Sequence, residues 1–186
     1  MKWLIASDIH GSARYCRMLL DCFAREQADR LLLLGDILYH GPRNDLPEEY
    51  NPRLAASLLN EYAEKIVCVR GNCDSEVDQM VLSFPLAADY AVIDTGASLI
   101  YATHGHIFNE DHPLNMCRGS VLICGHFHIP AVRQHETYLY LNTGSVSLPK
   151  EQSYHSYVVF DGDRFVWKDA VSREEKLTCC LPAGCL

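Results

Sequence analysis

Apolar residues come in short blocks separated by polar or glycine-rich breaks. Residues 2–6, 31–34 and 65–69 are runs of four or five positions, too short and too uniform for surface helices, and they read as buried strands. Between the first two, Tyr15, Met18, Leu19, Cys22 and Phe23 recur at helical spacing, so a helix opens at Gly11-Ser12 and runs to about residue 27. Asn51-Pro52 supplies a cap and a first-turn proline, and predicts a second helix to about Tyr62. Residues 37–50 are a polar loop. This β-α-β-α-β order predicts a parallel sheet with helices packed on it.

The second half changes character. A short helix in SEVDQMVLS stops at Phe84-Pro85, and strands follow near 90–93, 98–103 and 120–124. Four further strands, near 131–134, 137–142, 155–160 and 164–168, read as mostly antiparallel, with a turn at Asp161-Gly162. A mixed sheet followed by a mostly antiparallel one, with helices outside, predicts a mixed α/β (α+β) fold of two stacked sheets. One domain is expected over residues 1–170, with 171–186 as a mobile tail.

Composition narrows the function. The chain has 186 residues, 48% hydrophobic and 22% charged, enough for one well-filled core. Its 24 acidic and 16 basic residues give a net charge of −8, with no Lys/Arg run, which argues against long nucleic acid as a partner. No apolar run approaches the roughly 20 residues that span a bilayer. The opening MKWLIASDIHG does not read as a signal peptide, because Asp8 and His10 interrupt it. The chain therefore reads as a cytoplasmic protein without a membrane partner. Nine cysteines at irregular spacing do not form a disulfide framework. Cys68 and Cys124 in strands, and Cys16 and Cys22 on the first helix, are expected to be buried hydrophobes. Cys179, Cys180 and Cys185 fall in the tail.

Seven residues carry the chemistry: Asp8, His10, Asp36, Asn72, His104, His126 and His128. Each follows an apolar run, in ASDIHG, LLGDIL, VRGNCD, ATHGH and ICGHFH. Functional side chains gather beyond the carboxyl ends of strands in such sheets. The Asp-x-His and His-x-His spacings put both members of each pair on one side of an extended segment. Two divalent cations bring four positive charges and Asp8 and Asp36 return two, so such a site stays cationic and attracts phosphate. The oxygen and imidazole donors suit Mn²⁺, Fe or Zn²⁺ better than thiol-loving ions. His112, His135 and His155 read as surface residues, whereas His40 and His106 lie beside the expected site.

The order D-x-H, G-D, G-N-x-D, H-G-H, G-H-x-H resembles the calcineurin-like metallophosphoesterase superfamily. The segments GDILYHGPRN, VRGNCDSEVDQM and NTGSVSLPK are similar to the small bacterial YfcE-like phosphodiesterases. The resemblance spans residues 1–160 and implies a four-layer αββα sandwich, with a small phosphoester as substrate and a homo-oligomer as a plausible assembly. It implies two divalent ions, foremost Mn²⁺ with Zn²⁺, Fe or Ni²⁺ as alternatives. Asp8, His10 and His128 would hold one, Asn72, His104 and His126 the other, and Asp36 would bridge them. The implied activity is phosphodiester hydrolysis by a metal-activated hydroxide. A phosphomonoesterase, or a protein-binding scaffold like the retromer subunit of the same fold, are the alternatives. Arg43, beside Asn44 in the loop HGPRN, is a candidate phosphate clamp. Many members carry histidine after the Asn of G-N-x-D, where it helps protonate the leaving group. Here that residue is Cys73, which would make a weak general acid.

Overall fold

The computed structural model describes residues 1–182. In chain order the strands are β1 (Lys2–Ala6), β2 (Arg30–Leu33), β3 (Ile66–Cys68), β4 (Tyr90–Asp94), β5 (Leu99–Thr103), β6 (Ser120–Cys124), β7 (Pro130–Gln134), β8 (Tyr138–Thr143), β9 (Ser156–Asp161), β10 (Arg164–Asp169) and β11 (Glu175–Cys180). The helices are α1 (Ala13–Glu26), α2 (Pro52–Asn60) and the single-turn α3 (Glu76–Gln79).

The first helices start where their capping residues put them. The Ser12 hydroxyl accepts from Tyr15 N at 3.2 Å, and Asn51 Oδ1 accepts from Leu54 N at 3.1 Å. Each satisfies a backbone donor that the first turn leaves unpaired.

Two mixed sheets result. The first runs β11-β10-β9-β1-β2-β3, and the second β4-β5-β6-β8-β7. β1, β2 and β3 are parallel, as the β-α-β-α-β order requires. The second half departs from the expected pattern. β6 and β8 pair in parallel, and β9 crosses back to lie antiparallel to β1 in the first sheet. The last strands therefore complete the first sheet instead of extending the second. Period-2 patterns report which face of a strand is buried but not which sheet covers it.

That alternation builds three apolar layers. Leu4, Leu31, Leu33 and Val159 face α1 and α2, while Ile5, Leu32, Val158 and Phe160 face the second sheet. Val121, Ile123, Leu139 and Leu141 answer them from β6 and β8. Leu122, Cys124, Tyr138 and Tyr140 form the outer layer, covered by Met116 from the coil between β5 and β6. Coil instead of helix thus supplies the outermost of the four layers among the described residues. Cys16, Cys22, Cys68 and Cys124 are buried, as expected.

The expected mobile tail is corrected in part. Glu175–Cys180 forms β11, paired antiparallel with β10, so residues 175–180 belong to the first sheet. Cys179 packs against the inter-sheet layer through this pairing. Cys185 and the rest of that tail, residues 183–186, lie outside the described residues. Among the described residues no helix is long and apolar enough to cross a membrane.

Candidate metal centre

The ends of β1, β2, β3, β5 and β6 meet at one point between the two sheets. Asp8, His10, Asp36, His104 and His128 are almost completely buried there, His126 is half-buried and Asn72 is exposed. All seven expected residues come together, and five of them adopt a left-handed backbone: Asp8 at φ 61°, His10 at 50°, Asp36 at 55°, His126 at 64° and His128 at 63°. Non-glycine residues rarely sit there, and the strain is of order 1–3 kcal/mol each. The surrounding backbone must hold them in place.

It does so through contacts that the sequence pattern did not single out. The Asp74 carboxylate accepts from Asp36 N, Ile37 N and Gly71 N at 2.7–2.8 Å, and so clamps the ends of β2 and β3 together. Ser145 and Ser147 both donate hydroxyl bonds to the Asp8 carbonyl, at 2.9 and 2.8 Å. His126 N donates to Asp8 Oδ2 at 3.0 Å, and Cys73 N to Asp36 Oδ1 at 2.8 Å. Asp74 lies in the G-N-x-D segment and the serines in NTGSVS, so both were visible as motif letters while their roles were not.

Three imidazoles are fixed in the same way. His10 Nδ1 lies 2.8 Å from Tyr39 O, His104 Nδ1 2.6 Å from Leu34 O, and His128 Nδ1 2.7 Å from Leu148 O. A carbonyl only accepts, so each Nδ1 carries a proton and each Nε2 is turned inward, where the neutral ring offers a lone pair, the arrangement that orients a histidine ligand. Those Nε2 atoms face carboxylates: His128 to Asp8 at 3.2 Å, His10 to Asp8 at 3.5 Å and His104 to Asp36 at 3.5 Å. His104 Nε2 also lies 3.1 Å from Asn72 Oδ1 and 3.2 Å from His126 Nδ1. His10 Nε2 and His128 Nε2 face each other at 3.3 Å. Two lone pairs at that distance need a cation or a proton between them.

The charges agree. Burial opposes ionisation of Asp8, yet His128 and His10 hold it well below the usual carboxylate range. Burial likewise opposes ionisation of Asp36, which His104 holds down. Burial works against charge on His104, but its bond to Asp36 lifts it to about 9. His126 falls to about 4, through burial first and then the charge on His104. Asp8 Oδ1 is buried with no hydrogen-bond partner. Asp8, His10 and His128 bring donor atoms within 4.8 Å of one another, as do Asp8, Asp36 and His104. An orphaned carboxylate oxygen among inward imidazole lone pairs fits a divalent cation, so the donor set and the site agree.

A cleft of about 300 Å³ opens onto this centre, lined by Asp36, Arg43, Asn44, Asn72, Cys73, His126, Phe127, His128 and Lys150. Arg43 is therefore at the cleft, on a loop that Asn44 fastens by donating to His40 O at 2.8 Å. The half-buried Cys73 also lines it, and burial, followed by the Asp36 charge, pushes its thiol above its ordinary range. Sequence reasoning passed over Phe127 and Lys150, whose exposed side chains carry no periodic signal.

The remaining histidines divide. His112 is exposed, as expected. His106 stands beside the centre, its ring 5.3 Å from that of His104. His135 pairs with Glu110 at 2.9 Å and stacks on Tyr138. His155, expected at the surface, is half-buried. It stacks on Tyr15 at 4.1 Å, and its Nδ1 donates to Val146 O at 2.9 Å.

Comparison with known proteins follows the geometry. Residues 1–164 match the calcineurin-like phosphoesterase superfamily domain. Phosphodiesterase YfcE of Escherichia coli K12 is 45% identical over 163 residues, covering 88% of this chain and 89% of that protein. The solved structure of the E. coli phosphoesterase YfcE superposes with a TM-score of 0.94 at 40% identity, over 97% of this chain and all of that one. Zinc-complexed Vps29 from Entamoeba histolytica shares the fold alone, with a TM-score of 0.64 at 18% identity over 97% of this chain and 99% of its own. With β-strand ends that gather Asp and His residues able to hold a metal ion, the chain belongs to the calcineurin-like phosphoesterase superfamily and is a homologue of phosphodiesterase YfcE.

Proposed function

We propose that this protein is a dinuclear, metal-dependent phosphodiesterase of the cytoplasm, acting on a small or activated phosphodiester. The observation that carries it is the set of three imidazoles, each locked through Nδ1 to a backbone carbonyl and turned with Nε2 toward Asp8 or Asp36. Asp8, His10 and His128 would hold one cation, Asn72, His104 and His126 the other, and Asp36 would bridge the pair. Manganese is the foremost candidate, since the donors are hard oxygen and borderline nitrogen atoms. When bound, the ions supply Lewis acidity toward phosphoryl oxygens and a water of lowered pKa.

The chain's own groups do the rest. The clamps on Asp8 and Asp36 hold the carboxylates in place before substrate arrives, so little reorganisation is needed during reaction. Arg43, which lines the cleft, would meet non-bridging phosphate oxygens with its planar fork. Cys73, at the cleft beside Asp36, keeps its proton and releases it reluctantly, so leaving groups that need no protonation are favoured.

The test is hydrolysis of an aryl phosphodiester and of the matching monoester, using metal-stripped protein reconstituted with Mn²⁺ beside an Asp36→Asn control. Diester cleavage that requires Mn²⁺ and vanishes in the control is the expected result. Preference for the monoester would make it a phosphomonoesterase. No turnover despite two bound ions would move the reading to a binding scaffold.

A further inference from the structure

Positive charge in the cleft exceeds what a simple phosphodiester can balance. We infer that the cleft takes a phosphodiester bearing a second anionic group, a carboxylate or a phosphate, and that Lys150 is the specificity residue that receives it; this rests on the two-metal reading above. Two divalent ions bring four positive charges, and Asp8 and Asp36 return two. A diester phosphate brings one negative charge, which that surplus of two already outweighs before Arg43 is counted. Lys150 adds a further positive charge on the same cleft, while the only carboxylate among the lining residues is Asp36. Arg43 and Lys150 make no side-chain hydrogen bond or ion pair among the described residues, although acidic side chains outnumber basic ones by 24 to 16.

Lys150 is also built onto the metal centre. Its N–H donates to His128 O at 3.2 Å, the Ser153 hydroxyl donates to the same oxygen at 3.3 Å, and His128 Nδ1 donates back to Leu148 O at 2.7 Å. Ser153 N then closes on Lys150 O at 3.0 Å, around Glu151 and Gln152 at φ 52° and 59°. A turn with two left-handed non-glycine residues is a specified conformation, and it presents Lys150 at a set position relative to His128. The net charge of −8 repels a dianionic substrate at long range, so a local cation is the means by which such a substrate is accepted.

The experiment uses three 4-nitrophenyl diesters with the same leaving group, whose second alcohol is neutral, carboxylate-bearing or phosphate-bearing. They are compared on Mn²⁺-loaded wild type, Lys150→Met and Lys150→Arg. Wild type is expected to favour at least one charged ester over the neutral one by about tenfold to a hundredfold in kcat/KM, the size of one charge-assisted hydrogen bond. The gain should lie in KM and shrink at high ionic strength. The two charged esters show which anion the site prefers. Lys150→Met should bring the ratio near one, and Lys150→Arg should restore it. A wild type that turns over the neutral ester without any charge preference, or a preference that survives in Lys150→Met, overturns the inference while leaving the phosphodiesterase intact. No turnover of any of the three overturns the phosphodiesterase reading itself, and this inference with it.

Discussion

Gly71→Ala tests whether the Asp36 carboxylate, proposed above to join two metal positions, is held by close backbone packing. A Cβ built at Gly71 would lie 2.1 Å from Asp36 Oδ1, 2.4 Å from Asp36 N and 2.9 Å from Asp36 Cγ. Ordinary contact begins near 3.4 Å, so the Asp36 carboxylate must move by more than 1 Å and its backbone nitrogen by about 1 Å. The backbone shift is resisted, because Gly35 and Gly71 already pack backbone to backbone and Asp74 ties both segments. Gly71 has no left-handed φ, so the substitution acts through this clash and not through backbone strain. Overpacking of this kind costs about 1–3 kcal/mol of stability. A misplacement of about 1 Å at reacting groups lowers the rate roughly a hundredfold. The expected variant folds, melts lower, and loses about two orders of magnitude in kcat/KM on an aryl phosphodiester together with much of its bound metal. Gly162→Ala is the control. Its Cβ meets nothing within 4 Å, and its φ of 67° makes it strained at the β9–β10 turn, far from the site in sequence, so it should lose stability but not metal. Metal content by mass spectrometry and steady-state kinetics decide the matter. A Gly71→Ala protein with two ions and kcat/KM within threefold of wild type would refute the reasoning.

Three further predictions follow from other parts of the site. Cys73→His should raise turnover of poor, alkyl leaving groups at least about tenfold while changing activated aryl esters little, because it supplies a general acid that titrates near neutrality; no gain in a variant that retains its metals would remove Cys73 from the proton-transfer role. The imidazolium of His104, with its pKa at about 9, would have to lose a proton to serve as the proposed metal ligand. Apparent metal affinity should therefore climb with pH by up to about tenfold per unit below 9 and level off above it; calorimetric titration in two buffers of different ionisation heat measures the released proton, and pH-independent uptake would contradict it. The same pair stabilises the metal-free fold below the ordinary histidine pKa of 6.5, and that contribution fades as pH rises through about 9. Ser145→Ala should cost about 2–3 kcal/mol and Ser147→Ala about 1 kcal/mol in urea unfolding, since Ser145 Oγ also accepts from Leu148 N at 2.9 Å; equal losses would show that the bonds to Asp8 O dominate both.

Much of this was legible in the chain. The buried strands β1, β2 and β3 are apolar runs followed within four residues by Asp8, Asp36 and Asn72, and the α1 and α2 starts are written in Ser12 and Asn51. The seven candidate ligands were legible for the same reason, since each follows such a run. The return of β9, β10 and β11 to the first sheet was not, because Val158 and Phe160 would alternate identically in either sheet. Nor were the left-handed conformations at Asp8, His10, Asp36, His126 and His128, since only glycine advertises that region in sequence. Residues 171–180 look polar and tail-like, yet an edge strand needs backbone pairing more than apolar side chains, and β10 provides it. His155 was misread because its partner, Tyr15, lies 140 residues away.

The interleaving of β1 between β2 and β9 has a consequence for how the molecule comes to exist. Asp8 emerges from the ribosome early, but its neighbouring strand β9 and the serines that fix its carbonyl are made more than 130 residues later. The last two candidate ligands, His126 and His128, come after two-thirds of the chain. A nascent chain cannot therefore close this centre, and metal capture is an event of the finished polypeptide. An ion held there would join two sheets whose ligands are far apart in sequence and act as a late latch on the native state, and the concentration of free metal in the compartment would set what fraction of molecules are latched.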